Sequence, residues 1–154
     1  MKGTDAMKEF KVRFKRLSDL SKIPVYSSPS AAGADLYAAT DRPIEINAGE
    51  TVMVKTGLAV EIPDGYVGLI FARSGLASKR GVAPANKVGV IDSDYRGEII
   101  VALHNHSNES QTVDAGERIA QMAFLPYIAA TFEEAEQLSD TERGIGGFGS
   151  TGRK

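Results

Sequence analysis

The sequence contains no cysteine and only two histidines in 154 residues. A disulfide framework and a thiolate metal site are both excluded, and so is the zinc deaminase signature, which needs clustered His and Cys ligands. A chain without cysteine fits a reducing cytoplasm better than secretion. No long apolar run is present either: Met1 to Phe10 lack the core of a signal peptide, and no later stretch approaches the ~20 residues needed to span a bilayer. A soluble protein without membrane contact is expected. The net charge is only −2, so there is no broad positive field for a long polynucleotide, and an anionic ligand must be met by local Arg, Lys and backbone N–H groups. Neither a G-x-S-x-G elbow nor a P-loop occurs, which removes serine hydrolases and Walker-type ATPases.

Long helical periodicity is equally scarce. Only Ser74–Lys79 reads as a helical turn, so the βαβ crossovers of a Rossmann-like fold have nothing to be built from. What is present is short β patterning. From Phe10 to Leu17 the apolar Phe10, Val12 and Phe14 alternate with Lys11, Arg13 and Lys15, the period of a half-buried strand whose basic face is solvated. Further runs follow at Ile44–Ile46, Thr51–Val54, Leu58–Ile62, Tyr66–Ala72, Val88–Ile91, Glu98–Asn105 and Arg118–Leu125, with turn signals such as Ala48-Gly49 and Pro63-Asp64-Gly65 between them. One all-β domain over 1–154 is expected, a sandwich or barrel with one short helix; 42% hydrophobic residues suffice for its core.

The composition changes after Leu138. From Gly144 to Lys154 there are five glycines, with Phe148 among them. Such a segment cannot form a core of its own and reads as a disordered terminus; as a mobile lid over 139–154, its backbone N–H groups would turn inward around phosphate oxygens.

Four polar clusters interrupt the β pattern and suit a nucleoside triphosphate. Arg73-Ser74-Gly75 places a cation and a hydroxyl where a helix begins, either as a phosphate cradle or as an ordinary cap with Arg73 paired to an acid. The segment Asn86 to Glu98 reads as two strands joined by a turn rich in Asp and Gly, with Asp92 near a strand end, where a carboxylate can deprotonate water, and Tyr95 offering a flat face to a sugar. In Gly116-Glu117-Arg118-Ile119-Ala120-Gln121, an extended chain puts Arg118 and Gln121 on opposite faces. In the tail, Arg143, Ser150 and Thr151 supply a cation and hydroxyls beside Phe148. His104 and His106 occupy alternate positions on one strand and could share a metal, although packing at a surface or interface is the commoner use. A carboxylate-and-water mechanism with a hard metal is what these residues leave.

Five ordered blocks carry a resemblance: Ala32-Gly33-Ala34-Asp35-Leu36, Arg73 to Ala77, Gly89 to Glu98, Gly116 to Gln121, and Arg143 to Gly152. Together they are similar to the homotrimeric dUTPase family, the deoxyuridine 5′-triphosphate nucleotidohydrolases, over about Ala32 to Gly152. The resemblance implies a jelly-roll-like fold and hydrolysis of dUTP to dUMP and pyrophosphate by water attack on the α-phosphorus, which keeps uracil out of DNA and supplies dUMP for thymidylate synthesis. It implies Asp92 as the base and Tyr95 packed under the deoxyribose. Asn86 and the backbone of Val90 to Ile100, including Ile91, would read the uracil edge in a narrow hairpin. Arg73, Ser74, Gly75 and Gln121 would hold phosphates, with Asp35 orienting the network. Phe148 would stack on uracil while Arg143, Gly149, Ser150 and Thr151 close over the phosphates. Mg2+ would be held mainly by the triphosphate, without direct protein ligands, and each site would be shared between subunits of a cytoplasmic homotrimer. The head, Met1 to Lys8, matches nothing, and Met7 offers an alternative start. A dCTP deaminase-like enzyme and a non-catalytic nucleotide sensor are the competing readings; the Asp92 block and the tail favour the hydrolase.

Overall fold

The computed structural model describes residues 10–147. Among the described residues there are eleven strands and one helix: β1 Arg13–Arg16, β2 Val25–Tyr26, β3 Ala34–Tyr37, β4 Ile44–Ile46, β5 Thr51–Glu61, β6 Tyr66–Phe71, α1 Ser74–Arg80, β7 Val82–Pro84, β8 Gly89–Ile91, β9 Glu98–Asn105, β10 Gln111–Val113 and β11 Arg118–Pro126. They form a four-stranded sheet in the order β1-β5-β9-β7, a five-stranded sheet β2-β3-β11-β6-β8 and a small pair β10-β4. All pairings are antiparallel. One core cluster draws on all three sheets: Val54, Val101 and Leu103 from the first, Leu36, Ile70 and Met122 from the second, Ile46 and Val113 from the pair. Neither large sheet closes on itself, so the fold is a jelly-roll-like sandwich and not a closed barrel.

The alternation in β9 is regular. Ile99, Val101, Leu103 and Asn105 point inward, with Ile100, Ala102 and His104 on the other face. Burying Asn105 is tolerated because its amide is fully used: Nδ2 donates to the Ile46 carbonyl (2.9 Å) and the Glu109 carbonyl (2.7 Å), and Oδ1 accepts from Ser107 N–H (2.9 Å). In β3 the pattern fails for a physical reason. Ala34, Asp35 and Leu36 are all buried, so no period of two survives in the sequence. This strand, together with the two- and three-residue β2, β7 and β10, lies outside the patterned runs.

Two expected strands, Thr51–Val54 and Leu58–Ile62, are one continuous β5 in the structure. The apparent break is a bulge at Gly57, whose φ of 65° lies in the left-handed region and across which the register with β9 shifts. Gly57 N–H donates to Glu98 Oε1 (2.9 Å), and its carbonyl accepts from Leu17 N–H (2.7 Å) and Ser21 Oγ (2.6 Å). The bulge therefore ties the Ser21 loop and Glu98 to one point. A Cβ at this position would run into Ser21 Oγ. Gly57→Ala should cost about 1–3 kcal/mol, combining left-handed strain with the displaced hydroxyl; urea denaturation should show a lower midpoint at unchanged m-value, and an unshifted midpoint would refute the bulge's role.

Candidate functional site

Strand β6 works as a ruler for the polar clusters. Gly68 pairs with Ile91, so Asp92, the next residue, lies opposite Val67 near the beginning of β6. Arg73 follows the other end, after Phe71. Arg73 lies six positions beyond Val67 along extended chain, a span of ~20 Å. Within one chain the Asp92 cluster and the Arg73 cluster are two separate places.

At the first, a cavity of about 290 Å³ is lined by Met53, Val90, Ile91, Asp92, Tyr95, Glu98 and Ile100. Val90, Ile91, Asp92, Tyr95 and Ile100, all singled out from the sequence, are thus brought together. The anticipated hairpin is not formed, because β8 pairs with β6 while β9 pairs with β5. The Asp92–Gly97 segment instead crosses between the two large sheets and opens a cleft at their seam. It is braced from within. Tyr95 N–H donates to the Asp92 carbonyl (3.2 Å), Tyr95 Oη donates to the Glu98 carbonyl (2.9 Å), and Arg96 Nη1 donates to the Ser93 carbonyl (2.6 Å). Gly97 is needed for close approach, since a Cβ there would overlap the Tyr95 ring. The Asp92 side chain stays exposed and is free to meet a water, while the Tyr95 ring, held by its hydroxyl, lines the same cavity. Met53 and Glu98 complete the lining and were not singled out in the sequence. Met53 sits on the outward face of a period-two run and is 62% exposed, which is the signal that was there to read.

The neighbouring loop carries Asn86. Its amide nitrogen lies 3.5 Å from where a Gly89 Cβ would be. Lys87 beside it is the one non-glycine with positive φ among the described residues, at 66°. Such strain is tolerated where the surroundings fix the backbone, and here Lys87 N–H and Val88 N–H donate to the Pro84 and Asn86 carbonyls at 3.0 and 2.7 Å.

At the other end of β6, Asp35 is clamped between two guanidinium groups. Arg73 Nε donates to Oδ1 at 2.8 Å and Arg118 Nη1 to Oδ2 at 3.1 Å, with the carboxylate side chain only 10% exposed. The expectation that Arg118 and Gln121 face opposite sides is overturned by a bulge between Arg118 and Ala120. One extra residue shifts the parity, so Arg118 and Gln121 pair with Tyr37 and Asp35, two positions on the same face of β3. Gln121 Nε2 donates to the Ala72 carbonyl at 2.9 Å, and Arg73 Nη1 donates to the Arg118 carbonyl at 3.3 Å. Gly33 makes room, because a Cβ there would strike the Gln121 amide. Of the two readings of Arg73-Ser74-Gly75, the acid pair for Arg73 is present and the serine cap is not. Arg73 itself is the N-cap, no side chain caps α1, and Ser74 and Gly75 stand exposed on its first turn.

Arg143 joins neither cluster within the chain; its Nε donates to the Gly146 carbonyl (2.7 Å) in a local turn. Phe148, Gly149, Ser150 and Thr151 lie outside the described residues. A second cavity, about 340 Å³, lies between β1 and β5 beside Arg96. Its only carboxylate, Glu61, is already paired with Arg13, so it offers no free carboxylate.

Two polar sites on one sandwich, an exposed carboxylate beside an aromatic plate and a guanidinium cluster on a buried acid, define a β-fold protein equipped to handle a phosphorylated, ring-bearing ligand. The dUTPase family model matches residues 19–152, and the chain belongs to the dUTPase family. It is 54% identical over 143 residues to the deoxyuridine 5′-triphosphate nucleotidohydrolase of Desulfitobacterium hafniense (strain DSM 10664 / DCB-2), covering 92% of this chain and 95% of the relative. The protein of that name from Nautilia profundicola is 50% identical over 143 residues, 93% of this chain and 99% of the relative. Among solved structures, the dUTPase of Staphylococcus bacteriophage 80alpha with dUpNHpp superposes with a TM-score of 0.84 at 29% identity, covering 92% of this chain and 98% of that one.

Asp35→Asn should leave two guanidinium groups facing a neutral amide. We expect a loss of about 2 kcal/mol, below the ~3–5 kcal/mol of a fully buried pair, since Arg118 is half in solvent. Equilibrium denaturation measures it, and unchanged stability would mean that water already satisfies both arginines.

Proposed function

We propose that this protein hydrolyses dUTP to dUMP and pyrophosphate in the cytoplasm, with Asp92 as the base, thereby keeping uracil out of DNA and supplying dUMP for thymidylate synthesis. The observation that carries the reading is the 290 Å³ cavity in which Asp92, Tyr95 and the backbone of Val90, Ile91 and Ile100 meet. Membership of the dUTPase family and the likeness to relatives named as nucleotidohydrolases support it. Asp92 takes a proton from water as the water oxygen bonds to the α-phosphorus, and the α–β bridging P–O bond breaks to release pyrophosphate. Tyr95 packs under the deoxyribose, occupying the space of a ribose 2′-hydroxyl. Asn86 and the Val90–Ile100 backbone read the uracil edge and leave no room for a 5-methyl group.

Phosphates go to Arg73, Ser74, Gly75 and Gln121, with Asp35 holding Arg73 and the bulged strand in place. The tail closes the site, Phe148 over uracil and Arg143, Gly149, Ser150 and Thr151 over the phosphates, which excludes water not bound for attack. Magnesium would be held mainly by oxygens of the triphosphate and by water, with no direct protein ligand. When bound it neutralises phosphate charge.

The span along β6 supports a site shared between subunits of a homotrimer. A base and a phosphate clamp ~20 Å apart cannot both serve one α-phosphate, whereas two copies can bring an Asp92 end to an Arg73 end. Ile128 and Phe132 are each 95% exposed on the arm that follows β11, apolar surface suited to burial on another copy.

A pyrophosphate-release assay with dUTP, dTTP, UTP and dCTP tests the reading. Strong preference for dUTP is expected, and comparable kcat/KM for dUTP, dTTP and UTP, or ammonia from dCTP, would sink it. Asp92→Asn should retain binding and lose roughly two to four orders of magnitude in turnover. If Asp92→Asn and a chain ending at Thr141 are each inactive, co-refolding equal amounts should complete about a quarter of the pockets. No rescue in mixed trimers verified by mass would refute sharing.

A further inference from the structure

The outward face of β9 carries a feature that dUTP hydrolysis does not use. His104 and His106, two positions apart, project to the same side with ring centres 4.3 Å apart and planes at 64°. Two imidazoles on one metal, each through a bond of about 2.0–2.1 Å, hold their ring centres roughly 4.5–5.3 Å apart. The observed pair is just short of that range, and small side-chain rotations open it. His104 is already oriented. Thr51, its partner across the β5–β9 ladder, places Oγ1 2.8 Å from Nδ1. If Nδ1–H donates to that hydroxyl, the Nε2 lone pair is left free, which is the outer-shell arrangement that prepares a histidine for a metal.

Room is available around the pair. Ala83, the other neighbour of His104 across the ladder, is small, and His106 is exposed. Lys87 lies close enough to His106 to interact with it electrostatically. Lys87 repels a cation as well as a proton, but it is exposed and can swing away. Ile100 of the substrate cavity lies four residues back along β9, ~13 Å from His104.

We propose that His104 and His106 form a bidentate site for a borderline transition ion of the zinc or nickel class, separate from the proposed substrate site. No third His, Cys, Asp or Glu joins them among the described residues, so water completes the coordination. Imidazole nitrogens select this class over magnesium, which prefers oxygen. An ion here clasps the end of β9, through His104, to His106 in the Asn105–Ser107 turn that follows it, and stabilises the folded chain by mass action.

The test is calorimetric titration of zinc chloride, and separately nickel chloride, into the full chain near neutral pH without nucleotide. Saturable binding is expected, undisturbed by excess magnesium and by Asp92→Asn. Thr51→Val should weaken it by ~10-fold, the usual worth of an orienting hydrogen bond, and His104→Gln or His106→Gln by more. Binding should fade as the solution is made acid, because protons compete with the metal for imidazole nitrogen. Thermal melts with and without the ion give a second readout: the ion should raise the wild-type midpoint and leave that of the His104→Gln, His106→Gln double variant unmoved. Equal binding by that double variant, displacement by magnesium, or no binding by wild type would overturn the proposal. A dUTP turnover that stays normal in His106→Gln keeps this question apart from that of the hydrolytic site.

Discussion

A carboxylate that is nine-tenths covered by protein must be paid for by partners, and Asp35 has two. Arg73 and Arg118 reach it from different segments, one just after β6 and the other at the start of β11, so a single side chain on β3 fixes the relative positions of three strands. The pairing also explains why the guanidinium groups are well placed for anions. Each spends only part of its donor set on Asp35, and the side-chain exposures of 27% and 48% leave the remainder facing outward. Were Asp35 absent, the two like charges would repel in a partly desolvated place. Gln121 and the α1 terminus would lose the frame that aims them.

The same strand network decides what can be rigid and what must not be. Around Asp92 the peptide is braced by its own hydrogen bonds through Tyr95 and Arg96, so the exposed carboxylate stands on a stiff loop at the seam of two sheets. General-base catalysis asks for that combination, a fixed backbone with a solvent-accessible oxygen. The segment beyond β11 is different in kind: Leu138 and Ile145 lie 87% and 107% exposed on it, with no sheet partner. A scaffold holds the chemistry, and a loosely held segment is left to meet whatever binds.

Much of this was legible in the sequence, and the exceptions share a cause. The period-two runs of β9 and β11 and the single helical turn could be read because one face of each is buried and the other is not. Strand β3 could not, since Ala34, Asp35 and Leu36 are all inside, and β2, β7 and β10 are too short to show a period. The break seen at Gly57 and the opposite facing expected of Arg118 and Gln121 failed for one reason, a β-bulge. Bulges are set by pairing with a distant strand, and nothing local announces them. Five residues lining the cavity beside Asp92 stand close together in the sequence and so could be singled out as a group, while Met53, brought in by long-range pairing with Ala102, could not.

The bulge in β11 also sets a rule for how this gene can change length. Ile119 is the supernumerary residue, fully buried, and the bulge that absorbs it brings Arg118 and Gln121, three positions apart, onto one face. Removing its codon would leave them two positions apart, which a regular strand also places on one face, so the loss is a buried side chain and not the ion pair with Asp35. A deep scan of β11 would therefore find that a single-codon deletion at 119 keeps Arg118 opposite Tyr37, whereas one just after Gln121 turns every later side chain of the strand to the other face. The bulge gives the strand one place where residue count can change without reversing its faces, and a profile of amino-acid preferences alone would not reveal it.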